Sequence, residues 1–121
     1  MYTIKFYKDA KGSQPVKEYI ELLGNRKDKN SRIKLNKIKF IISNLQAYGL
    51  DLGMPYIRRI NNDLWEMRPI RDRIFFFCFK DERFILLHYF VKKTEKTPKN
   101  EIEKAIKEMN EYLQGEKNDG D

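Results

Sequence analysis

The chain has 121 residues, 40% of them hydrophobic, and 25 Lys and Arg against 18 Asp and Glu give it a net charge of +7. That length supports one hydrophobic core without staples, and one Cys with one His leave neither an internal disulfide nor a zinc set. Residues 1–99 hold 22 cations and 11 acids while residues 100–121 hold 3 and 7, so the strongly basic body suits a polyanion or an acidic partner.

The opening MYTIKFYKDA lacks the apolar core of a signal peptide, and no segment reaches the length of a bilayer span. A cytoplasmic protein without membrane contact is expected. YTIKFY alternates and reads as a first strand. Ser13, Gln14 and Pro15 start a helix whose apolar stripe is Val16, Tyr19, Ile20 and Leu23, ended by Gly24 and NRKDKN. A second helix starts near Ser31 and places Ile38, Ile41, Ile42 and Leu45 at the helical period, with Lys34, Lys37 and Lys39 outward. These two helices predict a hairpin lying across a sheet.

YGLDLGMPYIRRINND, with two Gly and a Pro, reads as a loop. Three strands follow. DLWEMRPI alternates, with Leu64, Glu66 and Arg68 on one side and Trp65 and Met67 on the other. DRIFFFCFK is apolar on both faces and reads as a central strand, with Cys78 as a small buried hydrophobe. RFILLHYFV must pair with it. Thr97 then caps a last helix with Pro98 at its first position, with Ile102, Ala105, Ile106, Met109 and Leu113 as its apolar stripe. The order β-α-α-β-β-β-α predicts an α+β domain over residues 1–114, with a mostly antiparallel sheet packed on the hairpin and the last helix. Residues 115–121, GEKNDGD, read as a flexible acidic tail.

The candidate chemistry lies on the first two of these three strands and at the end of the last. Arg68 and Arg73 flank the PIRD turn on neighbouring strands, and Arg71 sits within it. Like charges so placed repel unless an anion lies between them, and Arg suits a phosphate because it offers two parallel donors. The plainer reading is a solvated sheet face with Glu66 and Arg68 paired. Lys92, Lys93 and Lys96 follow the last strand and predict a cationic rim to a groove floored by Arg68 and Arg73. Arg58 and Arg59 extend that groove or merely solubilise a loop. His88 is placed by alternation on the face of Leu86 and Phe90, either as a hydrogen-bonded core residue or as a proton carrier. Tyr89, on the alternate face, reads as packing.

The pattern LWEMRP, RDRIFFFCF and RFILLHYFVKKTEKTPKNEIEKA resembles the HigB-like, phage-derived branch of the RelE/ParE toxin superfamily, the toxins of type II toxin–antitoxin pairs. The resemblance covers the chain from the hairpin to the last helix. It implies a RelE-like fold and a metal-free endoribonuclease without cofactor that cuts mRNA in the ribosomal A site. It also implies a HigA-like helix-turn-helix antitoxin as partner, with operator DNA met only through that antitoxin. Arg68 and Arg73 match basic residues of the family's catalytic sheet, and Lys92 or Lys93 matches the basic residue ending its last strand. The chain departs from some relatives in lacking a tyrosine just after that strand.

On this reading Arg68 and Arg73 grip the phosphate while Lys93, Glu66 or His88 moves protons. Arg58, Arg59, Arg71, Lys92 and Lys96 hold RNA or ribosome. The alternative is a module that binds nucleic acid without cutting it. A third class is an adaptor for an acidic protein.

Overall fold

The computed structural model describes residues 1–119. It is an α+β fold with a five-stranded sheet in the order β1-β5-β4-β3-β2. The strands are β1 (Thr3–Phe6), β2 (Ile57–Arg59), β3 (Trp65–Met67), β4 (Asp72–Phe79) and β5 (Arg83–Val91), and the helices are α1 (Pro15–Asn25), α2 (Lys29–Tyr48) and α3 (Lys99–Asp119). Only the β1–β5 pairing is parallel; the other three are antiparallel.

Period explains both faces. Met67, Ile74, Phe76, Phe84 and Leu86 point to one side and join Val16, Tyr19, Leu23, Ile38, Ile41 and Leu45 of the α1–α2 hairpin. Leu64, Phe75, Phe77, Ile85 and Leu87 point to the other and meet Ala105 and Met109 of α3. β4 is therefore covered on both faces, as its unbroken apolar run requires.

Four details differ from the sequence expectations. The stretch read wholly as a loop contributes a 3-10 turn (Gly49–Leu52) and the short edge strand β2, which pairs Arg58 with Glu66. The α2 helix begins earlier than Ser31, because Asp28 caps it by accepting from the Ser31 backbone N–H at 2.9 Å and its hydroxyl at 2.8 Å. Thr97 does not cap α3; its hydroxyl turns instead toward Glu66 and Arg58, and the Pro98 carbonyl accepts the first helical bonds. Residues 115–119, expected as a flexible tail, continue α3. The Arg83 Nη1 donates to Glu116 at 2.7 Å and to the Tyr112 hydroxyl at 2.9 Å, which ties that last part to the start of β5. Residues 120–121 lie outside the described residues. Cys78 is half-buried against the hairpin core, and burial raises its thiol pKa.

The Asp28 cap gives a pH prediction. The Ser31 hydrogen bonds, backbone first, hold the Asp28 carboxyl below its ordinary value. A depressed folded-state pKa contributes stability that is complete above the unfolded value and is lost as pH falls through the folded one. Asp28→Ala is expected to lower Tm at neutral pH. The gap from wild type should close in thermal melts taken at progressively more acidic pH below the ordinary carboxylate value.

Candidate functional site

The site begins with one buried carboxylate. Glu66 is the middle residue of β3 and is 0% exposed, because β2, β4 and the segment leading into α3 enclose its face. Three guanidinium groups converge on its Oε2: Arg58 Nη2 at 3.0 Å, Arg68 Nε at 3.7 Å and Arg73 Nε at 3.9 Å. The Thr97 hydroxyl donates to Oε1 at 3.4 Å and accepts from Arg58 Nη2 at 3.2 Å. The solvated pairing of Glu66 with Arg68 is therefore replaced by a buried hub. The anion between the arginines is the chain's own Glu66, and a single carboxylate is outnumbered by three cations. The Nε atoms of Arg58, Arg68 and Arg73 are all buried without a hydrogen-bond acceptor among the described residues.

Arg73 is fixed hardest. Its Nη1 donates to the backbone carbonyls of Ile70 at 2.9 Å and Asp72 at 2.8 Å. Burial is the largest influence on its pKa and lowers it; Glu66 opposes that, while Arg68 and Arg58 add to it. Such a cation, 8% exposed at its side chain, gains from any further negative charge brought beside it.

Above this hub lies an open groove of about 560 Å³ lined by Arg68, Arg71, Arg73, Lys92, Lys93, Thr94 and Glu95. Its two banks are joined by a backbone hydrogen bond from the Lys92 N–H to the Arg71 carbonyl, at 2.8 Å. That bond brings the end of β5 against the turn between β3 and β4. Five of the sequence-derived candidates thus share one surface: Arg68, Arg71, Arg73, Lys92 and Lys93. Arg58 belongs to the buried hub rather than the groove lining.

The remaining candidates lie elsewhere. Arg59 points into the β2–β3 turn, where its Nε and Nη2 donate to the Asn61 and Asn62 carbonyls. Lys96 is exposed and outside the groove lining. Glu66 lies beneath the groove with both oxygens facing cations or the Thr97 hydroxyl, a place suited to holding arginines.

His88 departs from simple alternation. Phe76 pairs with Leu86 while Ile74 pairs with Tyr89, so Leu87 and His88 both stand opposite Phe75. This bulge re-aims the imidazole. His88 lies by Phe75 and faces α3, opposite in side to Leu86. Its Nδ1 contacts Glu108 and its Nε2 contacts Glu101 at 3.0 Å. A carboxylate only accepts, so both contacts form together only with a proton on each ring nitrogen or on one carboxyl. His88 ties β5 to α3 and does not line the groove.

A second buried network was not foreseen. Asp72, 0% exposed, accepts from the Tyr19 hydroxyl at 2.8 Å and pairs with Lys34 at 3.2 Å. Tyr19 stacks on Tyr89 with centroids 3.8 Å apart and planes at 10°. Burial first, then the Asp72 hydrogen bond, pushes the Tyr19 phenol above its ordinary range. The only sequence signal is an acid opening a strand that is apolar beyond Arg73. Its effect reaches the site, because the Asp72 carbonyl is one of the two that hold Arg73. Tyr19→Phe removes one donor from a buried acceptor and is expected to cost about 1–2 kcal/mol in urea unfolding.

Among the described residues, no group of three or more His, Cys, Asp or Glu side chains is placed to hold a metal ion, and no helix is long and apolar enough to cross a membrane. No curated protein matches the chain. The family described as Phage derived protein Gp49-like (DUF891) matches residues 27–110, a span that runs from the residue before the Asp28 cap into α3 and includes the hub and the groove. Over that extent of match, the chain belongs to the phage-derived Gp49-like family, a toxin-like family of the RelE/HigB type.

Proposed function

We propose that this Gp49-like protein is the toxin of a toxin–antitoxin pair and acts as an endoribonuclease on mRNA held by the ribosome, restrained by a HigA-like helix-turn-helix antitoxin. The observation that supports this reading is the excess of fixed positive charge at the groove: three guanidiniums on one buried carboxylate, beneath Arg71, Lys92 and Lys93. A ribose–phosphate link is an anion that such a surface fits.

RNA supplies its own nucleophile. The 2′-oxygen attacks phosphorus, the bond to the 5′-oxygen breaks, and the products are a 2′,3′-cyclic phosphate and a free 5′-hydroxyl. That chemistry asks the protein for alignment, for donors to the phosphorane oxygens and for two proton transfers, and does not require a metal. Arg68 and Arg73 bind the phosphate and offset its growing charge. Glu66 and the carbonyls of Ile70 and Asp72 keep those guanidiniums from reorienting. Lys93, with Lys92 beside it, is the candidate for moving protons at the groove. The ribosome contributes by holding the message in line.

Expression should arrest growth, and co-expression of a helix-turn-helix antitoxin encoded beside the gene should relieve the arrest. In a translation extract the message should be cut, whereas single-stranded DNA, which lacks the 2′-hydroxyl, should stay intact. Cleavage of DNA at a similar rate rules out this mechanism; salt-sensitive RNA binding with no cleavage supports the binding module instead.

A further inference from the structure

On the α2 side of the turn between β3 and β4 lies an apolar hollow of about 540 Å³, lined by Ile33, Asn36, Lys37, Phe40 and Ile70. The α2 residues follow the spacing i, i+3, i+4, i+7, so they form one stripe over two turns. This stripe is not the one that packs on the sheet, which uses Ile38, Ile41 and Leu45. Ile33 is 46% exposed, Phe40 47% and Ile70 50%. Soluble proteins seldom leave large aliphatic side chains clustered in solvent without a partner to cover them.

Ile70 adds an independent sign. It has φ of 53°, a left-handed conformation that branched residues rarely adopt and that Gly or Asn takes readily. The conformation itself is explained by the hub, because it turns the Ile70 carbonyl to Arg73. A strained, half-exposed isoleucine is not explained by that, since Asn or Gly would turn the same carbonyl with less strain. Its side chain completes the hollow.

Charge says what covers it. α2 carries Lys29, Arg32, Lys34, Lys37 and Lys39 and no acidic residue. Lys37 leans over the Phe40 ring at 5.5 Å and the Tyr56 ring at 5.2 Å, so a cation sits at the rim. Ile33, Asn36, Lys37 and Ile70 have no ring on which a base can stack, and Lys37 lies over the fifth lining residue, Phe40, which favours protein over RNA. A second copy of the chain is poorly suited, because its acidic helix α3 already buries Ala105 and Met109 against its own sheet. We propose that this face of α2, with Ile70, docks an acidic amphipathic helix of a partner protein. Its apolar residues fill the hollow and its carboxylates meet the α2 lysines. The inference extends the proposed function to a partner surface and does not depend on cleavage.

A labelled 16-residue helical peptide with a leucine stripe at i, i+3, i+4 and i+7 and glutamates elsewhere tests it, beside an isomer with the stripe scrambled. The striped peptide should bind the full chain at least tenfold more tightly than the scrambled one. Phe40→Asp, Ile33→Glu and the milder Ile33→Ser should each erase most of that difference while circular dichroism and RNA cleavage stay as in wild type. Ile70→Asn should hold or raise Tm yet weaken binding, a pattern that a merely structural Ile70 cannot give. Arg68→Ala should leave peptide binding intact and lose cleavage, which separates this inference from the nuclease reading. Equal binding of both peptides, retention of the difference in the variants, or a dimer that Ile33→Glu dissolves would each overturn it. So would an RNA oligonucleotide whose binding falls equally in Ile33→Glu.

Discussion

Glu66→Gln is expected to destabilise the fold by about 3 kcal/mol, at the lower end of what removing one partner of a buried ion pair costs. The side chain keeps its volume and a carbonyl oxygen, so packing is nearly unchanged. What is lost is the single negative charge among Arg58, Arg68 and Arg73, which approach it at 3.0, 3.7 and 3.9 Å. For a domain of this size that loss corresponds to roughly a 10 °C fall in Tm. Urea unfolding would show a lower midpoint with little change in slope. The loss should be smaller in sulfate than in chloride at equal ionic strength, because an oxyanion bound at the groove partly replaces the missing charge. A variant as stable as wild type would mean that the three arginines do not depend on Glu66.

Arg68→Ala carries the second large effect, on rate. Arg68 lines the groove and reaches Glu66 from its exposed side, with 21% of its side chain accessible. On the proposed nuclease function, its removal takes away a donor to charge that grows in the transition state, an interaction commonly worth about 10²–10³-fold in kcat. Stability should fall far less than in Glu66→Gln, since Arg58 and Arg73 still pair the carboxylate. Single-turnover cleavage of a translated message measures it. An unchanged rate in a folded Arg68→Ala protein would remove Arg68 from the chemistry. Arg73→Ala is a poorer test of rate, because Arg73 also ties the carbonyls of Ile70 and Asp72.

The elements that periodicity governs were legible in the sequence. The two hairpin helices, the doubly covered β4 and the last helix each follow from a repeat of 3.6 residues or a run of apolar ones. What escaped depends on neighbours distant in the chain. β2 is three residues long and contains Arg58 and Arg59, so nothing local marks it; its strand character comes from pairing with β3. Alternation assigned Glu66 to the right face of β3 but does not say how much covers that face. The buried hub follows from β2 and the Thr97 segment. His88 was assigned to the side of Leu86 because alternation assumes an unbroken ladder, and the bulge opposite Phe75 breaks it. GEKNDGD reads as a flexible tail, yet Arg83 anchors Glu116 within it. At the site, the clustering of Arg68, Arg71, Arg73, Lys92 and Lys93 was readable from strand order alone. The pairing of Glu66 with Arg68 was also offered there, but not its burial or its hold on Arg58 and Arg73.

The most direct test of the groove as a ribose–phosphate site is to map the ends left on a message cut in the presence of ribosomes. The account predicts a 5′-hydroxyl on one fragment and a 2′,3′-cyclic phosphate on the other, at a position in the A-site codon, with both forming about 10²–10³-fold more slowly for Arg68→Ala. A message left whole by the wild-type protein, or fragments bearing a 5′-phosphate, would contradict it.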